Sequence, residues 1–290
     1  NTSRNEIPSY LSVNPITICY PSSNGKVDTD FDVDLETGCI IESDADFVLS
    51  YYCDYQKEKC VIACFGDSIT GLFGNKTDYP SMITSMTEGE IKAYNIGFSG
   101  CQWTDHADTN YMPFSMNRLV SAKVSGDFSL QDAKVQARGS LYVEHLNNLK
   151  TLDFNKVDVV SVFYGTNDWG ANVALSNVKS TIISTLTELL TKYPHLKVIV
   201  ISPYWRSVIS GKDSNIDANS SGEYLYDFSD GIEEVAEKNF NLPTINLYWN
   251  SGANAITNRY FTYDGTHPTE QMKRQIATKI INVVNEIVSF

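Results

Sequence analysis

The sequence predicts an α/β domain: a parallel sheet covered by helices on both faces, preceded by a small β-rich segment. Three observations predict it. A short continuous apolar run at 60–65, the mark of a strand buried on both faces, is followed by four similar, largely apolar runs up to residue 247. Between them, apolar residues return every three or four positions, the period of an amphipathic helix. Residues 1–57 read differently, so the chain divides into a β-rich segment, 1–57, and a main domain, 58–290.

The leading segment holds Pro8, Pro15 and Pro21, a turn at Ser22-Ser23-Asn24-Gly25, and β-rich runs at 16–20 and 47–52. Between these runs, residues 28–34 alternate aspartate with other residues. An EF-hand loop needs glycine at its sixth position, where Val33 stands, so the expectation is a strand with one solvated acidic face. The main-domain runs lie at 60–65, 91–96, 157–164, 198–201 and 244–247. Val178, Ile182, Leu186, Leu189 and Tyr193 share one helical face, and Pro194 closes that helix. The last helix is expected to begin at Pro268, whose φ is pre-set for a first turn, with Met272, Ile276, Ile280, Val283 and Ile287 on its apolar stripe. Two segments, 101–138 and 203–229, exceed ordinary connection lengths and carry Ser, Asn, Asp and Gly with interspersed aromatics. Both follow strand ends, where open α/β sheets place ligands, and are expected to wall a substrate cleft.

Composition narrows the function. At 290 residues and 42% hydrophobic content the chain can build one sizeable core with an appendage. A net charge of −13 argues against nucleic acid and against an anionic membrane surface, and favours neutral or cationic partners such as glycans. No apolar run approaches the ~18 residues of a membrane span. Asn1 to Glu6 are polar and carry no signal-peptide pattern. With no initiating methionine, the chain is expected to be processed or cut from a larger parent. Among six cysteines, Cys64 and Cys101 read as buried thiols, while Cys53 and Cys60 are spaced to close a small loop, a pairing left open. Cys53, Cys60 and Cys64 do not match a zinc spacing.

Ser68 stands in Phe65-Gly66-Asp67-Ser68-Ile69-Thr70, directly after the first apolar run. Its hydroxyl is therefore placed at a strand-to-helix turn, where N–H groups favour developing negative charge. A lone serine there would more often cap the helix, and a serine nucleophile needs a neighbouring base. Asp264-Gly265-Thr266-His267-Pro268 offers one: the carboxylate can hold one imidazole nitrogen while the other faces a nucleophile. His195 follows Pro194 in a turn expected to be solvated, His145 lies on a helix face, and His106 beside Asp105 is the one rival base. Asn95-Ile96-Gly97-Phe98-Ser99-Gly100 and Gly165-Thr166-Asn167-Asp168 end the second and third runs. Glycine N–H groups and the Asn167 amide are the donors an oxyanion needs, each worth roughly 3–4 kcal/mol in a transition state.

Taken in order, Gly66-Asp67-Ser68, the stretch ending at Gly100, Gly165-Thr166-Asn167-Asp168 and Asp264-Gly265-Thr266-His267 resemble the four blocks of the SGNH/GDSL hydrolase family. The resemblance covers residues 60–290 and leaves 1–57 outside. It implies a flavodoxin-like three-layer α/β/α sandwich with a five-stranded parallel sheet. It implies Ser68 as nucleophile, Asp264 and His267 completing the triad, and the Ser68 N–H, the Gly100 N–H and the Asn167 side chain as oxyanion hole, with no metal or cofactor. Gly97 is a second candidate for the middle donor. Asp67, Trp103, Asp168, Tyr204 and Trp205 are candidates for the substrate cleft; Trp103, Tyr111, Phe114, Tyr204 and Trp205 read either as platforms for sugar rings or as anchors for the loops.

The expected activity is removal of acetyl or another short acyl group from a small molecule or glycan, climbing with pH as the imidazole loses its proton and then levelling off. Two alternatives stand beside it: a lipase or thioesterase acting on lipid acyl esters, and a non-catalytic glycan-binding module. The chain is similar to modules of phage tail proteins and secreted bacterial carbohydrate esterases, which implies an extracellular or virion-associated setting. A homo-oligomer or a larger parent protein is left open.

Overall fold

All five apolar runs form strands in the computed structural model, which describes residues 59–72, 77–207 and 217–288 and four short strands nearer the N-terminus. Those four are β1 (Thr17–Cys19), β2 (Phe31–Asp34), β3 (Cys39–Ser43) and β4 (Ser50–Tyr52), paired antiparallel as β1 with β4 and β2 with β3. They fall in a unit Asn1–Lys57, separate from Glu58–Phe290. Part of the acidic stretch, residues 28–30, lies outside the described residues.

In the larger unit β5 (Cys60–Gly66), β6 (Ile91–Gly97), β7 (Val159–Phe163), β8 (Lys197–Ser202) and β9 (Thr244–Asn246) form one parallel sheet in the order β6-β5-β7-β8-β9. Every residue of β7 is buried, as a central strand covered on both faces requires. The helices are, along the chain, α1 (Ser68–Gly71), α2 (Tyr79–Met86), α3 (Met116–Ser125), α4 (Ser129–Val135), α5 (Ser140–Thr151) and α6 (Thr166–Gly170). They continue with α7 (Leu175–Lys192), α8 (Leu225–Phe240), α9 (Leu247–Asn250), α10 (Asn258–Phe261) and α11 (Glu270–Ile287).

The chain steps one way from β5 to β6 and the other way from β7 to β9. Right-handed crossovers therefore send the connecting helices to opposite faces. Accordingly α2 packs with α11, while α3, α7 and α8 are successive neighbours in the other layer. Because β6 and β7 flank β5 on opposite sides, the C-terminal end of β5 is the point where the winding reverses and a ligand crevice opens. There α1 sits directly on the end of β6. A Cβ on Gly71 would lie 2.1 Å from the Gly97 carbonyl oxygen, and one on Gly97 would lie 2.5 Å from the Gly71 nitrogen. Only glycine permits that backbone contact, which fixes the turn carrying Ser68.

Two expectations change. The segment 101–138 is not an open loop: it folds into a 3-10 turn at Met112–Phe114, then α3 and α4. Its helices are short and mostly polar, but Met116, Leu119 and Val120 keep helical spacing and are buried. The final helix begins two residues after Pro268, at Glu270. The Thr269 hydroxyl caps it by accepting from Met272 N–H, and Glu270 complements the first turn. Cys60, Cys64 and Cys101 are free and buried, so Cys60 does not pair with Cys53. Burial pushes the thiols of Cys60 and Cys64 up to about 12 and raises Cys101 as well.

Candidate active site

Helix α1 is capped by Asp67, not by Ser68: the Asp67 carboxylate accepts from Ile69 N–H at 2.9 Å. Since α1 is a single turn, the N–H groups at its start matter here rather than a long macrodipole. The Ser68 hydroxyl is left for another partner, and His267 Nε2 lies 3.0 Å from it although 199 residues separate the two. The other ring nitrogen, Nδ1, is 2.6 Å from Asp264 Oδ2. Asp264 Oδ1 meanwhile accepts from the backbone N–H groups of Thr266 (3.0 Å) and His267 (2.7 Å). Burial would raise the Asp264 carboxyl, but hydrogen bonds from the His267 ring and from these two N–H groups outweigh it and hold it below the ordinary carboxylate range. An ionised Asp264 fixes the imidazole tautomer so that Nε2 can accept the serine proton.

The turn holding Asp264 and His267 is itself held. Gly265 has φ +92, and a Cβ there would lie 1.8 Å from Ser207 Oγ. Its carbonyl accepts from Ser207 N–H at 2.7 Å, and the Tyr204 hydroxyl donates to the Thr266 carbonyl. The loop after β8 thus braces the turn before α11.

Neither the Ser68 N–H nor the Gly100 N–H donates to an acceptor among the described residues, whereas Gly97 N–H is taken by Asn95 Oδ1 at 2.9 Å. That favours Gly100 over Gly97 as the middle donor. Gly100 adopts φ +81, a left-handed turn suited to glycine. The Asn167 amide donates to Cys101 O (2.9 Å) and to Asp67 Oδ2 (3.2 Å), bridging the neighbour of Gly100 and the neighbour of Ser68. Both its hydrogens are engaged, so Asn167 could serve an oxyanion only by giving up one of these contacts.

The cleft candidates turn out otherwise. Trp103 (0% exposed), Tyr204 (2%) and Trp205 (3%) are core residues, as is Phe114, so they anchor loops and present no face to a ligand. Tyr111 is partly buried, lies against Gly100 and carries the Arg138 guanidinium 3.7 Å over its ring. Asp67 and Asp168 are fully buried. Asp168 accepts from Trp103 N–H, Thr104 N–H and the Thr104 hydroxyl at 3.0–3.2 Å, tying the loop after Gly100 to the one after β7. Burial raises both carboxyls, Asp67 to about 7 and Asp168 to about 6. The rival base His106 accepts from Asp108 N–H and packs at a tilt against the Tyr111 ring, and His145 is buried against the Gly97 carbonyl. His195 is exposed, as expected.

Three residues escaped the sequence reading. Gln102 is buried and donates to the Asn167 carbonyl at 3.0 Å. Arg206 is buried, donates to the Thr166 hydroxyl at 3.0 Å and lies over the Trp169 ring, its charge opposing those of Asp67 and Asp264. Tyr263, 57% exposed, stacks on the His267 ring with centroids 5.9 Å apart. Among the described residues no group of histidine, cysteine and carboxylate side chains is arranged to hold a metal ion. No described helix is long and apolar enough to cross a membrane.

A hydroxyl, an imidazole and a carboxylate in relay at the switch point of a parallel sheet describe an ester hydrolase. The family follows from the sequence as a whole: residues 64–275 match the model of the GDSL-like lipase/acylhydrolase family, and the chain belongs to it. The fold is similar to that of solved bacterial structures. One is a protein from Lactobacillus plantarum, 20% identical with TM-score 0.57, covering 79% of this chain and 97% of that one. Another is a member of the lipolytic protein G-D-S-L family from Veillonella parvula, 16% identical with TM-score 0.53, covering 79% and 100%. A third is Est24, a carbohydrate acetylesterase from Sinorhizobium meliloti, 16% identical with TM-score 0.52, covering 77% and 99%. At these identities the likeness is one of fold. No curated protein matches the chain by sequence.

Proposed function

We propose that this hydrolase removes acetyl or another short acyl group from a carbohydrate, with Ser68 as nucleophile, His267 as base and Asp264 as its orienting partner. The relay from Ser68 Oγ to His267 Nε2 (3.0 Å) and from Nδ1 to Asp264 (2.6 Å) is the observation that carries the reading. His267 takes the serine proton as Oγ attacks the ester carbonyl. The oxyanion forms against the Ser68 and Gly100 N–H groups and the Asn167 amide. Collapse expels the sugar alcohol, which receives the proton from His267. Water, deprotonated by the same imidazole, then releases the acid from the acyl-serine.

The carbohydrate preference rests on three supports. The chain carries a net charge of −13, which disfavours anionic substrates. The exposed Tyr263 ring at the rim of the relay offers a face to a pyranose. The fold is shared with a carbohydrate acetylesterase. An extracellular or virion-associated setting is proposed with it. Mass spectrometry after treatment with a fluorophosphonate tests the nucleophile: the adduct is expected on Ser68, and an adduct elsewhere rejects the mechanism. A nitrophenyl ester series tests the acyl group, with turnover expected to be highest for acetyl; a preference for C8 or longer chains would make the protein a lipase or thioesterase.

A further inference from the structure

We propose a second, glycan-binding surface at the C-terminal edge of the outermost strand β9, where Trp249, Tyr226 and Tyr224, flanked by Asp230, hold the saccharide chain several sugar units from Ser68. The proposal rests on the carbohydrate-ester reading above and says how much of the substrate the enzyme grips. Of the four tryptophans, Trp103, Trp169 and Trp205 are at most 3% exposed, whereas Trp249 is 59% exposed. An indole is seldom left in water without a use, because burying it stabilises the fold more than burying almost any other side chain.

Trp249 is also held in place. Its Nε1 donates to Asp230 Oδ1 at 2.7 Å, and its ring packs edge-on against Tyr248 with centroids 5.0 Å apart. Tyr226 lies 6.3 Å from it, and Tyr224 stacks parallel on Tyr226 at 5.1 Å and 7°. The tethered indole can offer only a face to a ligand. Faces of aromatic rings beside carboxylates suit a sugar: ring C–H groups lie on the aromatic face, and hydroxyls donate to an acid such as Asp230, which is exposed and engages protein donors through Oδ1 alone among the described residues. Carboxylates bordering an aromatic patch disfavour a lipid headgroup or a nucleic acid.

Topology puts this surface on the same side of the molecule as the nucleophile. All five strands are parallel, Ser68 follows the end of β5, and α9 with Trp249 follows the end of β9. Tyr224 and Tyr226 flank the first residue of α8, which starts from that same edge. From β5 through β7 and β8 to β9 there are three strand spacings, roughly 14 Å along the sheet edge. That is a span for an oligosaccharide, not for a single acetylated sugar.

The tryptophan distribution supplies the test, since solvent-sensitive indole fluorescence in the native protein reports almost entirely on Trp249. Unacetylated hexasaccharides of β-1,4-linked xylose, glucose and N-acetylglucosamine are titrated into the wild type. At least one is expected to shift the emission to the blue, an effect lost in Trp249→Ala; no shift with any of them overturns the proposal. On acetylated xylan, Trp249→Ala is expected to raise KM about tenfold with kcat nearly unchanged, and Trp249→Phe to restore most of the loss. Turnover of nitrophenyl acetate by both variants should match the wild type, which also certifies folding. An unchanged KM on the polymer in a normally folded Trp249→Ala overturns the surface. If hexasaccharides bind through Trp249 while the wild type frees no acetate from acetylated glycans, the surface stands and the substrate reading fails.

Discussion

One edge of a single sheet carries two groups of side chains with opposite relations to water. At its centre, Ser68 is 6% exposed and Asp67 and Asp168 are fully buried; at its rim, Trp249 is 59% exposed. The centre is built for reaction. Around the buried Ser68, Asp67 and Asp168, hydrogen bonds are worth more because water is excluded, and the Ser68 hydroxyl and the His267 ring have fixed partners before substrate arrives. The rim is built for contact, because a ring already satisfied by its own fold has no face left for a ligand. Trp103 and Trp205 illustrate that second point from within the same molecule: they belong to loops that follow the ends of β6 and β8, yet both are sealed into the core.

If the division holds, substitutions at the centre should act on kcat and those at the rim on KM. The largest effect belongs to Ser68→Ala, expected to lower kcat on nitrophenyl acetate by roughly a millionfold; a loss of less than about a hundredfold would mean another nucleophile. Asp264→Asn keeps the shape but presents an amide to Nδ1, and a loss of roughly 10⁴ is expected in steady-state assays at neutral pH. Asn167→Ala removes the side chain proposed as the third oxyanion donor and should lower kcat by about 10²- to 10³-fold with KM little changed. A rise in KM alone would assign Asn167 to binding.

A pH effect on stability comes next. In the unfolded chain Asp67 ionises at its ordinary 3.8, while in the fold burial raises it to about 7. Between those values the native state holds a proton that the unfolded chain has released, so this group's contribution to stability declines as pH rises through the window. Asp168, raised to about 6, acts in the same direction. The melting temperature of Asp67→Asn should therefore depend less on pH between 4 and 7 than that of the wild type; an equal or steeper slope would show that Asp67 is ionised throughout. The smallest effect is expected at the rim of the relay itself. Tyr263→Ala should raise KM for an acetylated sugar by only about threefold, the worth of one exposed ring contact.

The central site was legible because each of its parts is a contiguous block at a strand end or directly ahead of the last helix. The apolar run names the strand, the strand end names the place, and glycines at 97, 100 and 265 mark turns that a side chain would block. Arg206 and Gln102 carried no such signal. A single arginine or glutamine in a polar loop looks like a solvated one until tertiary packing buries it against Thr166 or Asn167. The aromatic loops misled for a related reason. Trp and Tyr serve equally as anchors and as platforms, and only burial distinguishes the two. Segment 101–138 reads as a loop because α3 and α4 are short and bury only a minority of their residues.

The three sealed sulfhydryls of the larger unit carry a practical consequence. With Cys60 and Cys64 held near 12 by burial and Cys101 raised likewise, essentially no thiolate exists there at neutral pH. Alkylating or maleimide reagents added to the native protein should pass over that unit entirely, so a fluorophore or a surface tether can be attached through a cysteine introduced elsewhere without blunting the enzyme.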